Sequence, residues 1–410
     1  MQADWTIHSV ATGLCLLFVG ACAGPLPDGN PTTTPDAVVD ETGPRFAIAT
    51  SVFSTQSYEF IGYVGFAESL ERGEVLLSEA LELPGGGQVW GVPGSGVIFV
   101  TEHETQSVGK FGFVDGELTE LGRVGLSGVG VTVLLEEQLV FDGPDHGYLF
   151  DLISGQIVEL DLEAMEIRST TDIGDLLDAD LSTFIYTFQE RADGRLTTAT
   201  YAVDLAEDLV SDTSWILVFD PATGTLDRVA APCGGLTFAA ESASGDWFYL
   251  SNPFVAGVHL LDSSRAPEPC MVRMPAGSDQ PDSQTLALNE LTGAPSGGMV
   301  PIGDGQVYVR SLDTETYPIA DTTTGLELYT IPAWRTWRVD LDNPTSAVLL
   351  DVPPRIGGVF FHTDGESFYE NDTVADLSSS TLVKATTDGD GPPGLVVPGA
   401  PFTLAEMYKP

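Results

Sequence analysis

Short apolar runs separated by clusters of Asp, Gly, Asn, Ser, Thr and Pro recur along most of the chain. Residues 215–229, WILVFDPATGTLDRV, show the unit: an apolar run, then Asp220-Pro221-Ala222-Thr223-Gly224, then a second run with apolar residues at alternating positions. Runs of this kind bounded by turn residues predict β-strands, and two of them around such a cluster predict a hairpin. Taken alone, Asp220 would also suit a metal loop or a phosphate cradle. Its layout returns at 58–84, 108–126, 148–162, 257–274, 336–352 and 381–397, which makes it a turn residue in a repeated hairpin.

A second kind of hairpin precedes most of these, at 87–102, 130–143, 184–201, 235–251, 297–311 and 357–371, with turns such as Pro-Gly-Ser-Gly, Ala-Asp-Gly and Gly-Asp-Gly. Their starts are spaced as propeller blades carrying loops would be. The strands needed to complete the set lie at the two ends, 45–53 and 400–408. The pattern therefore predicts an all-β fold, a seven-bladed β-propeller over residues 45–410, closed by pairing of the N- and C-terminal strands. A pair of separate sandwiches would need a linker near the middle, and 202–234 offers none.

Composition adds direction. The 45 Gly and 27 Pro suit a turn-rich fold, and 60 Asp+Glu against 16 Lys+Arg give a net charge of -44. Such a field repels nucleic acid and draws in cations. At the N-terminus, the apolar stretch 10–21 ends in small residues before Cys22, as a secretory signal does. The preceding MQADWTIHS carries no Lys or Arg. Val19-Gly20-Ala21-Cys22 resembles a bacterial lipobox. The expected order is thus a lipoprotein signal peptide at 1–21, lipidation at Cys22, a disordered Pro/Thr/Asp-rich tether at 22–44, and the propeller. Location is expected to be the bacterial envelope, with Ala23 after the Cys favouring the outer membrane. Cys15 falls in the signal segment, which leaves Cys233 and Cys270 as a candidate disulfide of an exported protein. No cofactor is expected.

Three stretches carry a family resemblance: Glu82-Leu83-Pro84-Gly85 leading to VWGVPGSGVIFV, VGKFGFVDGELTELGRVGL, and QIVELDLEAMEI. With the lipobox and tether, they resemble the myxobacterial siderophore-cluster lipoproteins called MxcI-like, and a wider group of propeller lipoproteins of unknown function. That resemblance implies a non-enzymatic envelope lipoprotein. It would serve ferric siderophore acquisition, with an outer-membrane transporter as partner.

Candidate chemistry falls in the longer loops. The segment 311–337 is expected to join second to third strand and 275–296 to join two blades, so both are expected on one face. Arg310, Tyr317, Tyr329, Trp334, Arg335 and Trp337 offer aromatic surface and cations for an anionic aromatic ligand such as a ferric catecholate. The alternative is that Trp334 and Trp337 staple the loop to its own blade. His103 and His146, each beside acidic residues on loops expected at that face, are weaker candidates. No nucleophile elbow, zinc-protease, P-loop or dinucleotide motif is present in the sequence. Three functions remain open: a lipid-anchored binding protein, a secreted propeller hydrolase or lactonase using Ca²⁺ and carboxylates, and an envelope scaffold that docks other proteins.

Overall fold

The structure, a computed structural model, describes residues 38–54, 59–131, 134, 138–178, 180–358, 361–363, 367–374 and 376–408. The expected signal segment, Cys22 and most of the tether lie outside them. The described chain forms seven sheets of four principal strands, the topology of an all-β, seven-bladed β-propeller.

Contact density divides the chain into two units, one holding the described residues up to Gly174 with Asn371–Val383 and the C-terminal segment from Pro392, the other Asp175–Glu370 with Lys384–Gly391. In the first unit, sheet one contains β1 (Phe46–Ser54), β2 (Glu59–Ala67) and β3 (Leu81–Leu83). Sheet two contains β4 (Gly87–Gly91), β5 (Val97–Glu102), β6 (Ser107–Val114) and β7 (Glu117–Gly125). Sheet three contains β8 (Gln138–Phe141), β9 (His146–Asp151), β10 (Gln156–Asp161) and β11 (Glu166–Asp172).

In the second unit, sheet four contains β12 (Ser182–Ile185), β13 (Gln189–Glu190), β14 (Leu196–Asp204), β15 (Leu209–Val210), β16 (Trp215–Asp220) and β17 (Thr225–Ala230). Its main path is β12-β14-β16-β17, the two-residue strands pairing β14 from the side. Sheet five contains β18 (Leu236–Glu241), β19 (Trp247–Ser251), β20 (Cys270–Met274) and β21 (Thr285–Ala287). Sheet six contains β22 (Ser296–Gly303), β23 (Gln306–Leu312), β24 (Trp334–Asp340) and β25 (Asn343–Leu349). Sheet seven, whose residues are divided between the two units, runs β26 (Phe361–Thr363), β27 (Phe368–Thr373), β28 (Ser379–Thr386) and β29 (Gly389–Pro398).

The final strand, β30 (Ala400–Glu406), returns to sheet one and gives it the order β3-β2-β1-β30. Phe46 lies opposite Glu406 and Ile48 opposite Leu404, with a register shift between Ala49 and Thr50. The two ends of the domain thereby close the fold.

Middle strands carry apolar runs where neighbouring sheets cover both faces. β5 and β16 each bury four consecutive positions. Fourth strands are edges and read as polar: β11 is exposed at nearly every position, and β25 is exposed at most positions and buried at none. The cores lie between successive sheets. Phe99, Val108, Leu149 and Val158 fill the space between sheets two and three, and Phe238, Leu250, Met299 and Val309 that between five and six.

Three sequence expectations are corrected. In sheet three the outer hairpin is 156–172 rather than 148–162, because the Gly143-containing connection at 142–145 joins first to second strand, and Met165 takes the left-handed conformation between third and fourth. Residues 253–261 are a helix, not the first strand of a hairpin. Residues 275–284 then connect third to fourth strand of sheet five, and so leave it at the end opposite to 313–333. Residues 288–295 of the 275–296 segment do join two blades and share the face of 313–333, so the expectation holds for that half and fails for 275–284.

Candidate functional site

Three consecutive second-to-third-strand connections of the second unit build one loop face. These are residues 205–214 of sheet four, 252–269 of sheet five and 313–333 of sheet six. The middle one holds α1 (Pro253–Leu261). Asn252 caps it by accepting from Phe254 N at 2.9 Å, and Pro253 occupies the first turn, where its missing N–H costs nothing. After the sheet-five hairpin comes α2 (Leu288–Thr292), ended by Gly293 in the left-handed region. In the third connection, α3 (Gly325–Thr330) is capped by Thr324, whose hydroxyl accepts from Glu327 N at 3.1 Å.

The connections interlock. α1 and α3 pack through Gly257 against Leu328, and the rings of Phe254 and Tyr329 meet edge to face at 6.4 Å. A Cβ at position 325 would lie 2.5 Å from Val258 Cγ2, so only glycine permits this approach. Asp208, from the sheet-four connection, accepts from Gly325 N at 2.8 Å. Burial pushes its carboxyl above the usual Asp range, more than the bonds from Gly325 and Leu326 and the charge of Arg265 pull it down.

Most of the aromatic and cationic residues singled out from sequence are used inside this scaffold. Trp334 is fully buried, donates from Nε1 to Leu328 O at 2.7 Å, and packs with Ala256, Leu312 and Tyr317. Tyr317 OH donates to Glu327 Oε1 at 3.1 Å, and Trp337 Nε1 to Ser311 Oγ at 2.7 Å. Arg310 is 1% exposed and meets Thr336 and the Glu370 carboxylate. Arg355 extends this buried ionic group, reaching Asp390 at 2.7 Å. Arg335 is the cation that faces solvent, and its Nε lies 2.8 Å from Asp313 Oδ2. Bonds from Thr316 and then Arg335 hold the Asp313 carboxyl below the usual range. The loop is therefore stapled by Trp334, Tyr317 and Tyr329, and the six residues do not converge on one open cavity.

Two concavities do open on this face. One, of about 230 Å³, is lined by Asp212, Glu268, Thr285 and the Cys233 and Cys270 pair. Those cysteines form a disulfide with Cα atoms 6.5 Å apart. It ties the chain entering sheet five to that sheet's third strand, within one blade rather than between two. The other, of about 320 Å³, is lined by Ala256, His259, Leu260, Pro269, Asn289 and the Gly293–Pro295 stretch. His259 Nδ1 lies 2.9 Å from Ala266 O. A carbonyl can only accept, so Nδ1 carries the proton and Nε2 of the neutral ring keeps its lone pair.

The other two histidines lie elsewhere. His103 sits at the end of the β5 turn against Gly86 and its N–H donates to Gly86 O. His146 starts β9, with Nε2 3.0 Å from Glu159 and its ring tilted against that of Tyr148, centroids 4.8 Å apart. It follows a first-to-second-strand turn, not a loop of the expected class. Bonds from Ser169 and then His146 keep the Glu159 carboxyl below its usual range. Among the described residues, no group of three or more His, Cys, Asp or Glu side chains is placed to hold a metal ion.

Sequence reading passed over Asp208, His259 and both helices of the interlock. The signals were present in Asn252-Pro253, an N-cap followed by a first-turn proline, and in Thr324-x-x-Glu327, a capping-box spacing.

No family model matches the chain, and no curated protein matches its sequence. Among solved structures it is similar to a 6-phosphogluconolactonase candidate from Bacteroides fragilis, at 11% identity and TM-score 0.48 over 91% of this chain and 98% of that one. It is also similar to hydrazine synthase of Kuenenia stuttgartiensis, at 10% identity and TM-score 0.44 over 72% and 75% of the two chains. AztD from Citrobacter koseri aligns at 12% identity and TM-score 0.37 over 88% and 97%.

Proposed function

We propose that this chain is a lipid-anchored, extracytoplasmic β-propeller that binds a partner through the loop face of sheets four to six. The observation that carries this reading is the interlock of three successive connections, capped by helices and opening into the cleft beside His259 and Leu260. Long ordered loops set rigidly on a scaffold are where binding residues concentrate. Export is supported by the Cys233–Cys270 disulfide, which belongs to an oxidising compartment, and anchoring by the lipobox ending at Cys22.

A ferric siderophore is the second reading, with solvent-facing Arg335 beside half-buried Trp337 as its contact. The net charge of -44 works against an anionic ligand and so supports a protein partner over a siderophore.

Palmitate labelling in a bacterial host tests the anchor: label is expected on the wild type and lost in Cys22→Ser. Unlabelled wild type would remove it. A photo-crosslinking residue at Leu260 is expected to capture a partner that the same residue at Val348, on the outer edge strand, does not. Quenching of tryptophan fluorescence by a ferric catecholate, lost in Arg335→Ala, would instead favour the siderophore.

A further inference from the structure

We infer that the cleft beside His259 receives a segment of a partner protein in which an aliphatic side chain adjoins a Lys or Arg. This rests on the loop-face reading and names the chemistry of its occupant.

The floor and walls are aliphatic, with Ala256, Leu260, Pro269, Ala294 and Pro295 facing about 320 Å³ of space. That is at the lower end of the roughly 300–1,000 Å³ typical of small-ligand pockets, and suits a single inserted side chain with its main chain. The apolar character continues outside it. Leu209, Leu260 and Ile319, one on each of the three interlocked connections, are 39%, 38% and 36% exposed. Each of the three connections thus presents one partly exposed aliphatic side chain.

The rim determines the sign of the partner. Two lining residues have acidic neighbours: Glu268 precedes Pro269 and Glu290 follows Asn289, both exposed. Glu268 Oε1 accepts from Asn289 Nδ2 at 3.1 Å, which holds that carboxylate beside the cleft. The nearby cation, Arg265, is engaged by Asp262 and the Glu207 carbonyl. In a chain of net charge -44, an apolar opening with this rim is complementary to a basic segment and repels an acidic one. His259 lines the cleft and adds a polar ring to its otherwise aliphatic walls, held in place by the Nδ1 bond to Ala266 O.

The test uses the full chain in detergent and fluorescein-labelled hexapeptides read by anisotropy. A peptide of alternating Leu and Lys is expected to bind, and one of alternating Leu and Glu is not. Leu260→Lys and Glu268→Lys are each expected to weaken the first by about tenfold or more, equivalent to roughly 1.4 kcal/mol. Val348→Lys, equally charged but remote, should leave it unchanged. Both test positions are exposed, and an unchanged Tm confirms the fold of each variant. Equal weakening by all three lysine variants would reduce the effect to bulk charge and overturn the site. Equal binding of the Leu/Glu peptide would overturn the basic class. If neither peptide binds while a crosslinker at Leu260 still captures a partner, the basic-aliphatic class falls and loop-face binding stands.

Discussion

At residue scale, Asp220 illustrates how this chain uses its acids. Its Oδ1 accepts from Ala222 N at 3.0 Å as β16 ends, and Gly224 takes φ 67° to bring the chain back. The same bond, from a carboxylate to an N–H two positions on, closes turns at Asp151, Asp161, Asp204, Asp262, Asp313 and Asp376. A residue that looked like a ligand in isolation is thus a repeated backbone cap. Asp208 differs because its carboxylate is spent across two connections and is half buried. Its raised folded-state pKa means the folded chain holds that proton to higher pH than the unfolded one. Its ionisation therefore removes stability as pH rises from 3.8 through the folded value, and protonation restores it. Asn tolerates the φ of 49° at this position and retains an oxygen for Gly325 N. Asp208→Asn is therefore expected to raise Tm at pH 7 and to lose that advantage as pH approaches 3.8. A lower Tm at pH 7 would show that the charge on Asp208 holds the interlock.

At element scale, the strands were legible where two neighbouring sheets bury both faces, as in β5 and β16, and where a Gly-containing turn separates apolar runs. The closing pair of β1 and β30 was legible because each end of the sequence lacked a partner hairpin. Sheet three was harder, since β8 has four residues, half those of β6, and the apolar run 148–150 reads equally well as a second or a third strand. The 257–261 stretch was misread because Gly-Val-His-Leu-Leu suits either period, and the decision lies upstream in Asn252-Pro253. The aromatic loop was visible, but its inward direction was not. Direction depends on α1, an element more than fifty residues away in sequence that supplies Ala256 and Phe254 as its contacts. Two consequences follow for these elements. Trp334→Ala, which empties a buried site and removes the bond to Leu328 O, is expected to cost about 3–5 kcal/mol in urea unfolding. The Cys233→Ala/Cys270→Ala pair opens a loop of 37 residues and is expected to cost roughly 3–4 kcal/mol by the chain-entropy relation. Wild-type stability in the cysteine pair would show that the sheet-five entry is held by packing alone.

At the scale of the whole molecule, the turn chemistry and the charge are one problem. Most of the Asp residues that cap turns take a backbone N–H and keep their charge at the surface, Asp151 being buried, so the fold accumulates carboxylates without requiring cationic partners for each. The cations it has are largely committed: Arg123 to Glu102 and Glu120, Arg168 to Asp161, Arg191 and Arg195 to Asp279, and Arg273 to Asp246 and Asp282. With 60 acids and 16 bases in the sequence, even complete pairing would leave the net charge of -44 unopposed. Exposed pairs each contribute little, whereas repulsion among the remaining carboxylates sums over the surface and falls when the chain unfolds and expands. Screening acts on both, with a Debye length of about 30 Å at 0.01 M salt and about 10 Å at 0.1 M. Because the repulsion spans longer distances than the pairs, it is relieved first. Tm at pH 7 is therefore expected to rise with NaCl, with most of the gain below about 0.1 M, where the screening length contracts most. A Tm that falls on adding salt would mean that the Arg–Asp pairs dominate, and that the acidic surface is held together by its few cations rather than tolerated in spite of them.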